Sequence, residues 1–178
     1  MRPALKLQPA LLLPGGLALA RRACLLASLC ALAAACSADE PTPSVGPEPL
    51  FPADYAQSYT LVRDCRLSVE HDLTRIRVLA SPSALATYQS RTGEFAEGAL
   101  LLKEEYEYAQ EDCSGPIQGW TLMQKLSAGS SPETLDYHWQ KVNTQRQVTS
   151  DDEARCISCH TGCGSSKEGY LNTCAIPP

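Results

Sequence analysis

No stretch of this chain is apolar for long enough to cross a bilayer. The run "ACLLASLCALAAA", Ala23 to Ala35, holds thirteen residues without a charge, where a transmembrane helix needs about 20. A basic surplus is also missing: 15 Lys and Arg face 20 Asp and Glu, which argues against nucleic acid as a partner. Histidine and methionine are scarce, at three and two. His71 and His138 stand at no ligand-like spacing from each other, so a second ligand pair for structural zinc is wanting. No strand pattern leads into the cysteine cluster near the C-terminus, which weighs against a thioredoxin-like dithiol there.

What is present begins with an export signal. Arg21 and Arg22 precede the apolar run, which ends in three alanines, the n-region, h-region and cleavage site of a signal peptide over residues 1–35. The general export route is expected. "LAAAC" resembles the lipobox of bacterial lipoproteins, with Cys36 as the lipidated residue. Ser37, where an aspartate would favour inner-membrane retention, points to the outer membrane. Residues 36–50 are proline-rich and aperiodic, a tether that holds a domain (51–178) off a membrane surface. Every acidic residue lies beyond position 35, with eleven of the basic ones, so the mature chain carries −9.

Of nine cysteines, Cys24 and Cys30 leave with the signal and Cys36 carries lipid. Six remain: Cys65, Cys113, Cys156, Cys159, Cys163 and Cys174. In an exported protein they form three disulfides in any of fifteen pairings, or two of them hold a cofactor and two disulfides remain. The spacing Cys156-x-x-Cys159-His160 decides for the second, because it is that of c-type haem attachment: two thiols add to vinyl groups and the imidazole binds iron. Ser150 and Glu153 form a capping-box pattern, with Asp151 and Asp152 in the first turn, which predicts a helix starting there. On that helix residues 156, 159 and 160 share one face, and Gly162 and Gly164 stop it.

Upstream, the chain alternates as a sheet does. "TRIRVLA" (74–80), "GALLLKEEYEYA" (98–109), "GWTLMQKL" (119–126) and "LDYHWQKV" (135–142) are strand candidates separated by Gly, Pro, Ser and Asp loops. Ser81 and Pro82 open one helix, with Gly93 beyond its end. The expected class is α+β: a mainly antiparallel sheet with a few short helices, the last carrying haem. His138 falls opposite Tyr137 and Trp139 and reads as a solvated strand residue. His71, among charges, reads as a surface residue with a distal role open, and Met123 as core filler rather than an axial ligand. With no sixth ligand evident, the iron is expected to be five-coordinate with an open distal side.

These features in order, "FPADY" at 51–55, "RIRVLASPSALATYQSRTGEFAEGALLLKEEY" at 75–106, "YHW" at 137–139 and "CISCH" at 156–160, resemble the cytochrome P-460 family. The resemblance implies a mostly antiparallel β fold, commonly homodimeric, with one covalent haem c. In the enzymatic members a lysine is also bonded to the porphyrin, and hydroxylamine or nitric oxide is oxidised; the cytochrome c′-beta relatives lack that bond and bind gases. The matching lysine is Lys103. Burial would leave its amine neutral, as attack on the ring requires; the bland alternative is a solvated lysine paired with Glu104 or Glu105.

Two departures bear on activity. The family's distal carboxylate would come from "GWTLMQKL", which contains no acid, with Thr121 near its place. The tail after His160 also departs, and the expected pairing there is Cys163 with Cys174, leaving Cys65 with Cys113. The leading expectation is a haem oxidoreductase acting on a small nitrogen species, with His160 on the iron, Cys156 and Cys159 on the macrocycle and Lys103 on the ring. Its rivals are a gas-binding haem protein and a simple electron-transfer cytochrome c.

Overall fold

The computed structural model describes residues 46–164 and 169–174. The signal segment, Cys36 and most of the tether lie outside the described residues. Six strands follow one another as a meander, each hydrogen-bonded to its neighbour in sequence: β1 (Thr60–Ser68), β2 (Thr74–Ala80), β3 (Leu100–Tyr106), β4 (Gly119–Lys125), β5 (Tyr137–Asn143) and β6 (Val148–Asp151). All five ladders are antiparallel. Among the described residues three α-helices, α1 (Tyr55–Ser58), α2 (Pro82–Ser90) and α3 (Ala154–Cys163), and a 3-10 turn (Pro132–Thr134) accompany the sheet, so the class is α+β.

The central strands form where apolar side chains alternate, and the alternation sorts them onto two faces. One face buries Phe51, Tyr55, Leu100, Leu102 and Val142. The other packs Leu101, Met123, Tyr137 and Trp139 against Ala84 and Tyr88 of α2, with Cys156 and Ile157 of α3 at its margin. Burying each large side chain contributes roughly 1.5–3 kcal/mol. This second face carries the site.

Three expectations at the helix ends need correction. The hydroxyl of Ser81 does not cap α2; it accepts a hydrogen bond from the Leu100 N–H at 2.9 Å, tying the helix entrance to β3. Nor does Ser150 start α3. It lies in β6, and its hydroxyl meets the Glu153 carboxylate at 2.8 Å. Between them Asp152 turns the chain with φ 49° and accepts a hydrogen bond from the Trp139 N–H at 2.8 Å. The ladder claims Ser150 and Asp151, so the helix begins only at Ala154, with Glu153 at its N-cap. At the other end Gly162 lies inside α3, and Gly164, with φ 66°, terminates it.

Candidate functional site

One row across the sheet sets the site: Arg63, Val78, Lys103, Thr121 and Lys141 face one another strand by strand. Directly opposed residues share a face, so Lys103 stands near the middle of the face that carries Trp139. α3 returns over that face, and the His160 ring lies 4.5 Å from the Trp139 ring, centroid to centroid. The result is a cavity of about 640 Å³, in the size range of ligand sites. Ile76, Val78, Leu101, Met123 and Trp139 give it apolar walls, while Lys103, His71, Cys156, Cys159 and His160 also reach it.

The cysteines divide cleanly among the described residues. Cys65 is joined to Cys113 and Cys163 to Cys174, while Cys156 and Cys159 are free. His160, Cys163 and Cys174 lie close together, but both of those sulfurs are spent in a disulfide and offer no thiolate to zinc. His160 is buried, and its Nδ1–H donates to the Asn172 carbonyl at 2.5 Å. A carbonyl only accepts, so the proton is on Nδ1 and the Nε2 lone pair is left for a metal. Burial, then the charge of Lys103, push this imidazole down to about 3, so it stays neutral. Burial also raises the Cys156 thiol. Two free thiols and one oriented neutral imidazole on a single helix, at the mouth of an apolar cavity, fit a c-type haem.

Lys103 is not a solvated lysine. Desolvation lowers it to about 8, against the pull of Glu105 upward, and its Nζ lies 2.8 Å from His71 Nε2. Glu104 points to the opposite face, where its carboxylate accepts from the Tyr55 and Tyr106 hydroxyls at 2.7 and 2.6 Å. Glu105 shares the face of Lys103, two residues on. Its buried carboxylate lies 3.5 Å from His71 Nδ1 and 3.7 Å from Lys141 Nζ. Burial alone would raise it, but the His71 hydrogen bond and the Lys141 charge hold it below the usual range. His71 is itself depressed, by burial first, with Lys103 adding to the effect.

His71 thus departs from its surface reading. Asp72 and Leu73 both take left-handed backbone, with φ 57° and 60°, which folds the β1–β2 loop back over the sheet. Asp72 then meets Arg155 of α3 at 2.7 Å, beside Cys156. Nothing in "SVEHDL" marks that reversal, since neither residue is glycine. The position of Glu105 was available from strand periodicity, because residues 103 and 105 must share a face. His138 lies on the far face with its Nε2 2.7 Å from Asp151 Oδ1, and Met123 sits in the core cluster. Thr121 pairs with Lys103 across the ladder; its buried hydroxyl faces the Glu105 carboxylate without closing a hydrogen bond.

A search of curated proteins finds none that matches the chain. The family model described as Cytochrome P460 does match, over residues 52–170, from just after Phe51 through the cysteine motif to the tyrosine that packs behind it. That span is more than half of the chain and contains every cavity residue named above. A free Cys-x-x-Cys-His helix over an apolar cavity and a family match across the whole sheet lead to one conclusion: the chain belongs to the cytochrome P460 family, whose members are c-type haem proteins with covalently attached haem.

Proposed function

We propose that this protein is an exported haem oxidoreductase that oxidises hydroxylamine or nitric oxide at an open iron site and passes the electrons to an external acceptor. The observation that carries the reading is the line Lys103, His71, Glu105: a half-buried lysine at the cavity, 2.8 Å from an imidazole that is itself backed by a buried carboxylate at 3.5 Å. Bound here, a haem would supply redox-active iron for a small nitrogen species.

The chain's residues do the rest. Cys156 and Cys159 hold the macrocycle, and His160 presents Nε2 while Asn172 fixes its ring. Lys103, lowered to about 8, has an accessible neutral amine, which suits it to bond to the porphyrin. Oxidising hydroxylamine releases protons, and a proton acceptor must lie within reach of the cavity. β4 offers none, but on β3 the Glu105 carboxylate lies 3.5 Å from His71 Nδ1 and draws the ring proton to that side, which leaves Nε2 as the acceptor beside Lys103 at the cavity. The missing acid of β4 is thereby offset from the adjacent strand, one imidazole removed.

A second reading is favoured by Thr121. With a hydroxyl where the family's acid would stand, the same site serves a non-catalytic gas-binding protein. The absorption spectrum of the purified ferrous protein tests the frame shared by both: a strongly red-shifted Soret band is expected from the lysine bond, and a low-spin six-coordinate spectrum would remove the open site. Steady-state oxidation of hydroxylamine with an artificial acceptor then separates enzyme from gas binder. The reading includes a lipid anchor at Cys36 on the periplasmic side of a bacterial membrane, with the outer membrane favoured, and a homodimer.

A further inference from the structure

β1 and β2 slip by one residue twice along their ladder, between Leu61 and Arg63 and again between Arg63 and Arg66. Arg63 pairs with Val78 and Arg66 with Ile76, so three residue steps on β1 match two on β2. On a regular strand residues three apart point to opposite faces, but a bulge at Asp64 and Cys65 absorbs the extra residue. Asp64 and Cys65 both go to the far face, where Asp64 lies 3.4 Å from Arg77 and Cys65 is bonded to Cys113. Arg63 and Arg66 are both left on the face of Ile76 and Val78, and both line the cavity.

Two guanidinium groups in an apolar cavity need anions. Arg75, Arg77 and Arg155 each have a carboxylate partner. Arg63 and Arg66 have none among the described residues, and Arg63 Nη1 is buried without any hydrogen-bond partner. Burial and the neighbouring Arg63 together lower Arg66. An unsatisfied buried donor of this kind calls for an occupant.

The pair stands on β1, at one edge of the sheet, while His160 packs on Trp139 of β5. Four strand intervals separate them, about 19 Å at ~4.8 Å each. Cys156 and Cys159 anchor the vinyl edge of a haem, and its two carboxylates leave from the opposite edge. We propose that Arg63 and Arg66 form an anion clamp for the two propionates of the haem, each guanidinium taking a carboxylate with paired hydrogen bonds. The bulge delivers both arginines to one face, and the Cys65–Cys113 bond pins it from behind. The inference rests on the haem of the preceding reading and not on its reaction.

The test uses the holoprotein with Arg63→Gln, Arg66→Gln and, as control, Arg75→Gln, which removes a guanidinium from the far face. Resonance Raman spectra report the propionate bending bands. Each of the first two variants should displace a band from its wild-type position, Arg63→Lys should displace it less than Arg63→Gln, and Arg75→Gln should leave both in place. Unchanged bands in both Arg63→Gln and Arg66→Gln overturn the clamp. Should those variants not fold, a crystal structure of the wild-type holoprotein decides: carboxylate oxygens about 3 Å from the two guanidinium groups support it, and propionates bound elsewhere or turned to solvent overturn it. Haem content is counted separately by pyridine haemochrome, and no readout uses turnover. Loss of the clamp therefore leaves the hydroxylamine reading standing, and the reverse also holds.

Discussion

Replacing Cys65 and Cys113 together by alanine opens a loop whose closure can be costed. The bonded residues are 48 apart in sequence, and releasing a loop of that size returns to the unfolded chain an entropy worth about 4 kcal/mol at 25 °C. The Cys163–Cys174 bond spans 11 residues and should be worth about 3 kcal/mol on the same relation. Cys113 is also fully buried, so alanine there leaves a small void that adds to the first figure. For a domain of this size a loss of about 4 kcal/mol lowers Tm by about 15 °C. Thermal melts of the oxidised holoprotein followed by far-UV circular dichroism measure it. If the Cys65/Cys113 variant loses less than about 1 kcal/mol, or less than the Cys163/Cys174 variant, the loop-closure reasoning is wrong. The same variant should also relax the bulge and move the propionate bands, because nothing then holds residue 65 to the far face.

Four further outcomes follow from the site. Lys103→Met should abolish the red-shifted ferrous Soret band while leaving haem attached, and Lys103→Arg should not restore it, since a guanidinium does not give up its proton; a band that survives Lys103→Met refutes the lysine bond. In a chain carrying Cys156→Ala and Cys159→Ala, Lys103 titrates freely. Its folded value near 8 lies below the unfolded 10.5, so burying the ammonium is a penalty below pH 8 that is relieved as pH rises toward 10.5. Urea-unfolding stability should therefore rise by about 2 kcal/mol between about pH 7.5 and 9.5 relative to the same chain with Lys103→Met, and parallel curves for the two would show a solvated lysine. Glu105→Gln should slow hydroxylamine oxidation by about 100-fold or more, with the ferrous spectrum unchanged; full activity would remove His71 and Glu105 from proton transfer. Trp139→Ala removes a large core side chain and the partner of the His160 ring, and should cost about 3–5 kcal/mol of stability in chemical denaturation.

Much of the sheet could be read in advance because its strands keep a strict period. "TRIRVLA" is β2 residue for residue, and β3 and β4 fall within the segments expected for them, with β5 running one residue past its own. β1 escaped because two register shifts break its alternation, one between Leu61 and Arg63 and one at Asp64 and Cys65, and β6 because four residues, "VTSD", carry too little apolar pattern to register. Within the site, the placing of Cys156, Cys159 and His160 together on one helix was legible from their spacing. His71 was not, because a left-handed turn at Asp72 and Leu73 brings it inward. Arg63 and Arg66 were hidden by the same irregularity that concealed β1. Apart from the short β6, the features that escaped are places where the backbone departs from its period, and two of them are where charged side chains enter the cavity.

The meander has a temporal meaning. Every strand pairs with the one made just before it, so each pairing closes a short loop and can form as soon as its second strand is available. A chain emerging N-terminus first thus lays down the wall of the cavity in the order in which it is synthesised, and the segment that binds the cofactor arrives last. If Cys156 and Cys159 take the haem as proposed, attachment to an extended segment would have to come before α3 winds up and His160 closes on Trp139. The interval between completion of β6 and that closure is the time allowed to the attaching machinery, and substitutions that speed the docking of α3 would shorten it without touching a single haem ligand.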